Sequence, residues 1–195
     1  VFKEEKIRKL SLAFFIYFIA FTGLTNILIF FLQESLNWTT KASSGTLVVV
    51  GVIAIIVQGG LIGPLVKKFG EMKLTLIGSG FILLACFLLI TTPQENAVVN
   101  IYSAVSFLAV GAGLITPTLR ALISKKLDGD NQGSILSNLQ GLQSLGGVLG
   151  IGMAGRVYDD FGPKAPFIAG SIILLFMIYL IAEGKNNNIS YSKRI

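Results

Sequence analysis

Histidine is absent from this 195-residue chain, cysteine occurs once, and charged residues make up only 13% of it. Each shortage excludes something. A lone cysteine, Cys86, builds no disulfide framework and reads as a small buried apolar residue. With no histidine, and with all 10 carboxylates outside the long uncharged runs, no metal cluster, acid pair or catalytic triad can be assembled within those runs. An enzyme is not expected, and nothing asks for a metal or another cofactor.

What is present is apolar. Hydrophobic residues make up 53% of the chain and the mean hydropathy is +0.75, values that place it among membrane proteins. Uncharged runs cover 10–32, 42–66, 74–94, 96–119, 131–155 and 165–182. Each is long enough to cross a hydrocarbon core of roughly 30 Å as a helix. The expected fold is an all-α polytopic membrane domain of six spanning helices. Barrel strands would be shorter and would alternate polar with apolar residues, which these runs do not. The first run follows a basic segment but has no small-residue cleavage site after it, so it reads as a span and not a signal peptide. A chain that starts at valine is expected to be cut from something longer.

Charge placement orients the spans, because lysine and arginine in short loops stay on the cytoplasmic side. Of the 16 basic residues, all but Lys41, Arg156 and Lys164 fall on the side that holds both termini and the loops after the second and fourth helices. Both termini are therefore expected in the cytoplasm, in a multi-pass protein of the cell membrane. Topology also accounts for the net charge of +6, so no nucleic-acid partner is expected. Membrane lipid is a partner by composition, and Lys67, Lys68 and Lys73 lie where they can meet anionic headgroups.

The chain resembles itself. An offset of 92 residues brings "GPLVKKFG" onto "GRVYDDFG", pairing Gly63 with Gly155, Phe69 with Phe161 and Gly70 with Gly162, while Gly60 pairs with Gly152. Three helices per copy leave the second copy upside down, so 1–95 and 96–195 read as inverted repeats, an architecture common among secondary transporters. The second and fifth helices also carry glycines in GxxxG spacing, Gly59 with Gly63 and Gly146 with Gly150. Small residues let helices approach closely in lipid. These faces pack within the bundle or await a partner surface.

With those residues in view, the chain resembles the C-terminal six-helix half of a major facilitator superfamily transporter, of the drug and tetracycline proton-antiporter type. The turn "GPLVKKFGEMKLTLIG" is similar to that superfamily's Gly-x-x-x-Asp-Arg-x-Gly-Arg-Arg loop, with Gly63, Lys68 and Gly70 in place. Lys67 stands where the aspartate belongs, and Glu71 and Met72 replace the basic pair. The stretch "GAGLITPTLRALISKKLDGDNQGSILSNLQGLQSLGGVLG" resembles the family's tenth helix, its following loop and the opening of the eleventh. "VYDDFGPKAPFIAG" resembles the approach to the twelfth. The resemblance implies a cytoplasmic gate at Gly63, Lys67, Lys68 and Gly70, against which stands the plain reading of a topology anchor.

A substrate path should leave polar or aromatic residues at membrane depth, where they meet water, ligand or one another. The first helix offers Tyr17, Thr22 and Asn26, the last two sharing a face at a spacing of four. The fourth offers Phe107, and the fifth has Gln140 on a stripe with Ser137 and Ser144, with Gln143 at its border. Asn26 and Gln140 stand out, although hydrogen bonds between helices explain such residues equally well. Pro117, after Gly111 and Gly113, is expected to kink the fourth helix, as a moving or a static bend. The implied function is alternating-access transport of small molecules, as proton-coupled drug efflux. No titratable group lies at membrane depth here, so the coupling carboxylate is expected in an N-terminal half outside this chain. Two other readings remain, a homodimeric six-helix facilitator or channel and a non-transporting membrane scaffold.

Overall fold

The computed structural model describes residues 5–93, 97–125 and 132–192. The boundaries expected at Gln94, Asn96 and Asn131 fall outside these, as do Lys3, Lys126, Lys193 and Arg194. All regular structure among the described residues is helical: α1 (Glu5–Leu36), α2 (Thr40–Ile56), a π-helical segment (Val57–Leu61), α3 (Ile62–Phe69), α4 (Glu71–Ile90), α5 (Ala97–Ser124), α6 (Gln132–Phe161) and α7 (Ala165–Ser192). Since α2, the π segment and α3 run on as one rod over Thr40–Phe69, the described residues make six rods, as expected. Every rod but α4, which stops at Ile90, is longer than its uncharged run, because helices can continue past the hydrocarbon core.

Five rods are long and apolar enough to cross a membrane: Ile7–Leu36, Thr40–Phe69, Glu71–Ile90, Ala97–Ser124 and Ala165–Glu183. The remaining rod, α6, fifth in the chain, has the length at 30 residues, but its first half is diluted by glutamine, serine and asparagine. It lies beside α1 in the same direction, with Gly146 against the Phe15 carbonyl, Gly150 against that of Ile19, and Tyr158 hydrogen-bonded to Glu34 at 2.8 Å.

The turns are short and specific. Gly70 is the whole connection between α3 and α4, and its φ of +77° is one a side chain rarely adopts. Gly162 ends α6 at φ +90°, and its amide donates to the Tyr158 carbonyl much as that of Gly70 donates to Val66. Asn37, at φ 54°, turns the chain between α1 and α2. Asparagine is among the few other residues that tolerate this conformation.

The core lies where α1 and α5 meet their neighbours. Phe14, Tyr17, Phe31, Leu32, Ile101, Leu108, Ile115 and Phe167 are fully or almost fully buried there. Glycine sets the two tightest crossings. A Cβ on Gly111 would lie 2.6 Å from the Gly78 carbonyl of α4, and one on Gly150 only 2.2 Å from the Ile19 carbonyl. The packing has a pattern: α1 lies chiefly on α6 and α7, while α5 lies chiefly on α2 and α4. The rod Thr40–Phe69 is the least enclosed, 11% of its apolar window being buried.

Candidate functional site

The sequence candidates separate into groups when folded. Tyr17 is fully enclosed, its hydroxyl hydrogen-bonded at 3.1 Å to that of Thr116 across the α1–α5 crossing, with its ring stacked on Phe21 at 5.6 Å. It fixes two helices together. Thr22 faces α6, its side chain 3.7 Å from where a Cβ of Gly147 would be. Asn26, one turn on, is exposed on the bundle's flank, and its amide donates to the Thr22 carbonyl at 2.9 Å. Phe107 stacks on Phe81 of α4 at 5.8 Å and lines an open groove on α5 with Tyr102, Ser103 and Ser106.

Gln140 and Gln143 come together around a residue that the charge pattern assigns to topology alone. The Arg120 Nη2 donates to the Gln143 Oε1 and lies 3.5 Å from the Gln140 Oε1. These three side chains bridge α5 and α6, and Arg120 Nε is buried without a partner among the described residues. One signal for Arg120 was available. It sits one residue past the uncharged run and three past Pro117, near enough for its long side chain to reach back.

Polar bonds also hold the ends. Thr75 of α4 and Thr118 of α5 share a buried hydrogen bond of 2.9 Å, and beyond it Lys125 pairs with Glu71. Lys9 pairs with Glu183 at 2.9 Å, joining α1 to α7 at the same end. At the opposite end Arg156 pairs with Asp160 at 2.9 Å, one turn on in α6. A cavity of ≈ 40 Å³ between α1, α6 and α7, lined by Ile19, Gly23, Gly150 and Gly170, is apolar and offers no chemistry beyond packing.

Of the gate residues, Lys67 and Lys68 are exposed in the last turn of α3, with Lys68 Nζ 5.3 Å from the Phe69 ring, and Gly63 and Gly70 have open space around them. Gly146 and Gly150 are closed by α1, whereas Gly59 has nothing within 4 Å. Pro117 lies inside α5, which continues past it to Ser124. The Gly113 carbonyl, four residues earlier, therefore lacks its helical donor.

A bundle of long apolar rods, five of them long and apolar enough to cross a membrane, is a multi-pass membrane protein in class. A family model described as the Major Facilitator Superfamily matches residues 1–151. The chain belongs to that family. It is 30% identical over 122 residues to the class H tetracycline resistance protein of Pasteurella multocida and 27% identical over 127 residues to the class C tetracycline resistance protein of Escherichia coli. Each match covers 63% of this chain and 30% of the relative, so it spans less than a third of either. In fold the chain is similar to an auto-inhibited peptide transporter of the POT family, with a TM-score of 0.78 at 16% identity, over 94% of this chain and 37% of that one. The expected family and all-α fold therefore hold, and so does the resemblance to the tetracycline type.

Proposed function

We propose that this chain is one six-helix half of a secondary transporter that exports small drug-like molecules by alternating access. The observation that carries the reading is the placement of polar side chains. Asn26 on α1 and Ser137, Gln140 and Ser144 on α6 are exposed along their rods, where lipid alone would disfavour them and a water-filled cavity would not. A second six-helix unit closes that cavity, and the partial coverage of the relatives supports this. Coupling to protons rests on a carboxylate in that second unit, since the uncharged runs here hold none. The names of the tetracycline resistance relatives support drugs as the substrate class, and the basic residues support cytoplasmic termini in the cell membrane.

The inverted repeat belongs to the same proposal. Packing of α1 on α6 and α7 has its counterpart in packing of α5 on α2 and α4. Among the described residues the two glycines of positive φ, Gly70 and Gly162, stand 92 residues apart, and so do Gly78 and Gly170, where an added Cβ would lie 2.8 Å from Ile115 of α5 and from Leu24 of α1. Each three-helix unit thus ends its second rod and seats its third in the same way.

Inverted membrane vesicles that carry the full-length protein test the function. Tetracycline uptake is expected on imposing a pH gradient and should stop when nigericin collapses it; uptake no greater than in vesicles without the protein overturns the reading. Replacing Lys67 and Lys68 together with glutamine in the same vesicles should slow uptake if the turn is a gate. Unchanged uptake leaves it a topology anchor.

A further inference from the structure

Arg120 is the one charged side chain reaching into the α5–α6 seam among the described residues, and the proton coupling above does not use it. Near a helix end a long basic side chain ordinarily stretches toward the headgroups. This one, four residues before the end of α5, reaches instead to Gln143, which lies eleven residues into α6, roughly 16 Å along that helix at 1.5 Å per residue. Its charge is permanent, since arginine does not lose its proton in proteins. Two neutral amide oxygens orient that charge without balancing it. The ion pairs among the described residues, Lys9 with Glu183, Lys125 with Glu71 and Arg156 with Asp160, leave Arg120 without a carboxylate.

The guanidinium plane decides what such a site would take. Nε–H and one N–H of Nη2 point along the same edge, the fork that matches the two oxygens of a carboxylate. Gln143 and, at 3.5 Å, Gln140 accept from Nη2, while Nε, buried, has no partner among the described residues. Beyond this bridge α5 and α6 touch little, so the seam can part without breaking a core.

We propose that Arg120, oriented by Gln143 and Gln140, is an anion-recognition site that binds a carboxylate on the transported molecule. This rests on the transporter reading and narrows it, because amides and hydroxyls alone point to neutral or cationic molecules. The rest of the path accommodates the body of the substrate, and Arg120 selects those that carry a planar negative group.

The test is ligand binding by the full-length protein in nanodiscs, with two xanthene dyes as probes: fluorescein, which bears a carboxylate, and rhodamine 123, cationic with its carboxylate esterified. Fluorescence polarisation should show Arg120→Gln binding fluorescein at least tenfold more weakly than the unmodified protein, and Arg120→Lys, which keeps the charge and loses the fork, several-fold more weakly. Equal fluorescein affinity in the unmodified protein and Arg120→Gln, including no binding by either, overturns the site. Should Arg120→Gln not fold, Arg120→Lys decides, and an unchanged affinity sinks the proposal. Vesicles that move tetracycline while fluorescein fails to bind overturn this site and leave the transporter standing; fluorescein bound through Arg120 in a protein that moves nothing overturns the transport reading alone.

Discussion

Gly150 and Gly111 show what single residues determine in a bundle without water at its seams. Lipid supplies no hydrophobic drive for helix association, so contact depends on how closely backbones approach. A methyl group on either glycine would collide with a carbonyl oxygen, which no rotamer change can relieve. Gly150→Ala and Gly111→Ala are each expected to cost about 1–3 kcal/mol and to lower the thermal unfolding midpoint of the full-length protein in detergent. Gly80 has nothing within 4 Å, and Gly80→Ala should hold or raise that midpoint, because alanine favours helix. Equal losses at all three would show that the tight crossings are not what hold these rods. GxxxG spacing picked out Gly146 and Gly150 in the sequence. It could not separate them from Gly59, since the spacing lies on one helix and the collision depends on another.

At the scale of elements, two irregular stretches face each other. Pro117 deprives the Gly113 carbonyl of its donor, and a Cβ on Gly113 would lie 2.9 Å from Val57, the first residue of the π segment. Proline was legible as an interruption of α5. The π segment was not, since Gln58, Gly59 and Gly60 differ little from the glycine-rich sequence around them. Restoring the missing bond separates a hinge from a static bend. Pro117→Ala is expected to raise the unfolding midpoint by a few degrees, as a proline inside a helix costs about 3 kcal/mol, and to slow tetracycline uptake several-fold. A stabilised protein that transports at the original rate would make the bend static. The fifth rod shows a different limit of sequence reading. It lacks the hydropathy of a span and takes its place by packing glycine to backbone along α1.

For the whole molecule, topology is the claim with the widest consequences, because the gate, the cavity mouth and the direction of transport all follow from which face meets the cytoplasm. In a Cys86→Ser background, Lys68→Cys should react with a membrane-impermeant maleimide only in inverted vesicles. Lys164→Cys should react only in intact cells. The opposite pattern would turn the molecule over and reverse the direction proposed for transport. Enclosure is uneven at this scale: α1 and α5 are gripped on several sides, whereas the rod Thr40–Phe69 and much of α6 present apolar and polar residues outward. From the sequence, the small-residue faces of these two rods either pack within the bundle or await a partner surface. The structure closes Gly146 and Gly150 and leaves Gly59 open.

Helical class, the asymmetry of charge and the five spans of high hydropathy were determined by sequence alone, because the transfer of a twenty-residue apolar run into hydrocarbon depends on its own side chains and backbone bonds. The approximate position of the polar stripes followed as well, from helical periodicity. Only the tertiary structure decided that Tyr17 joins two helices and faces no cavity, that Asn26 lies open on the flank, and that Arg120 reaches inward to Gln143. Those outcomes depend on which rods become neighbours. That choice is made by close packing between segments far apart in the chain, which no local pattern records.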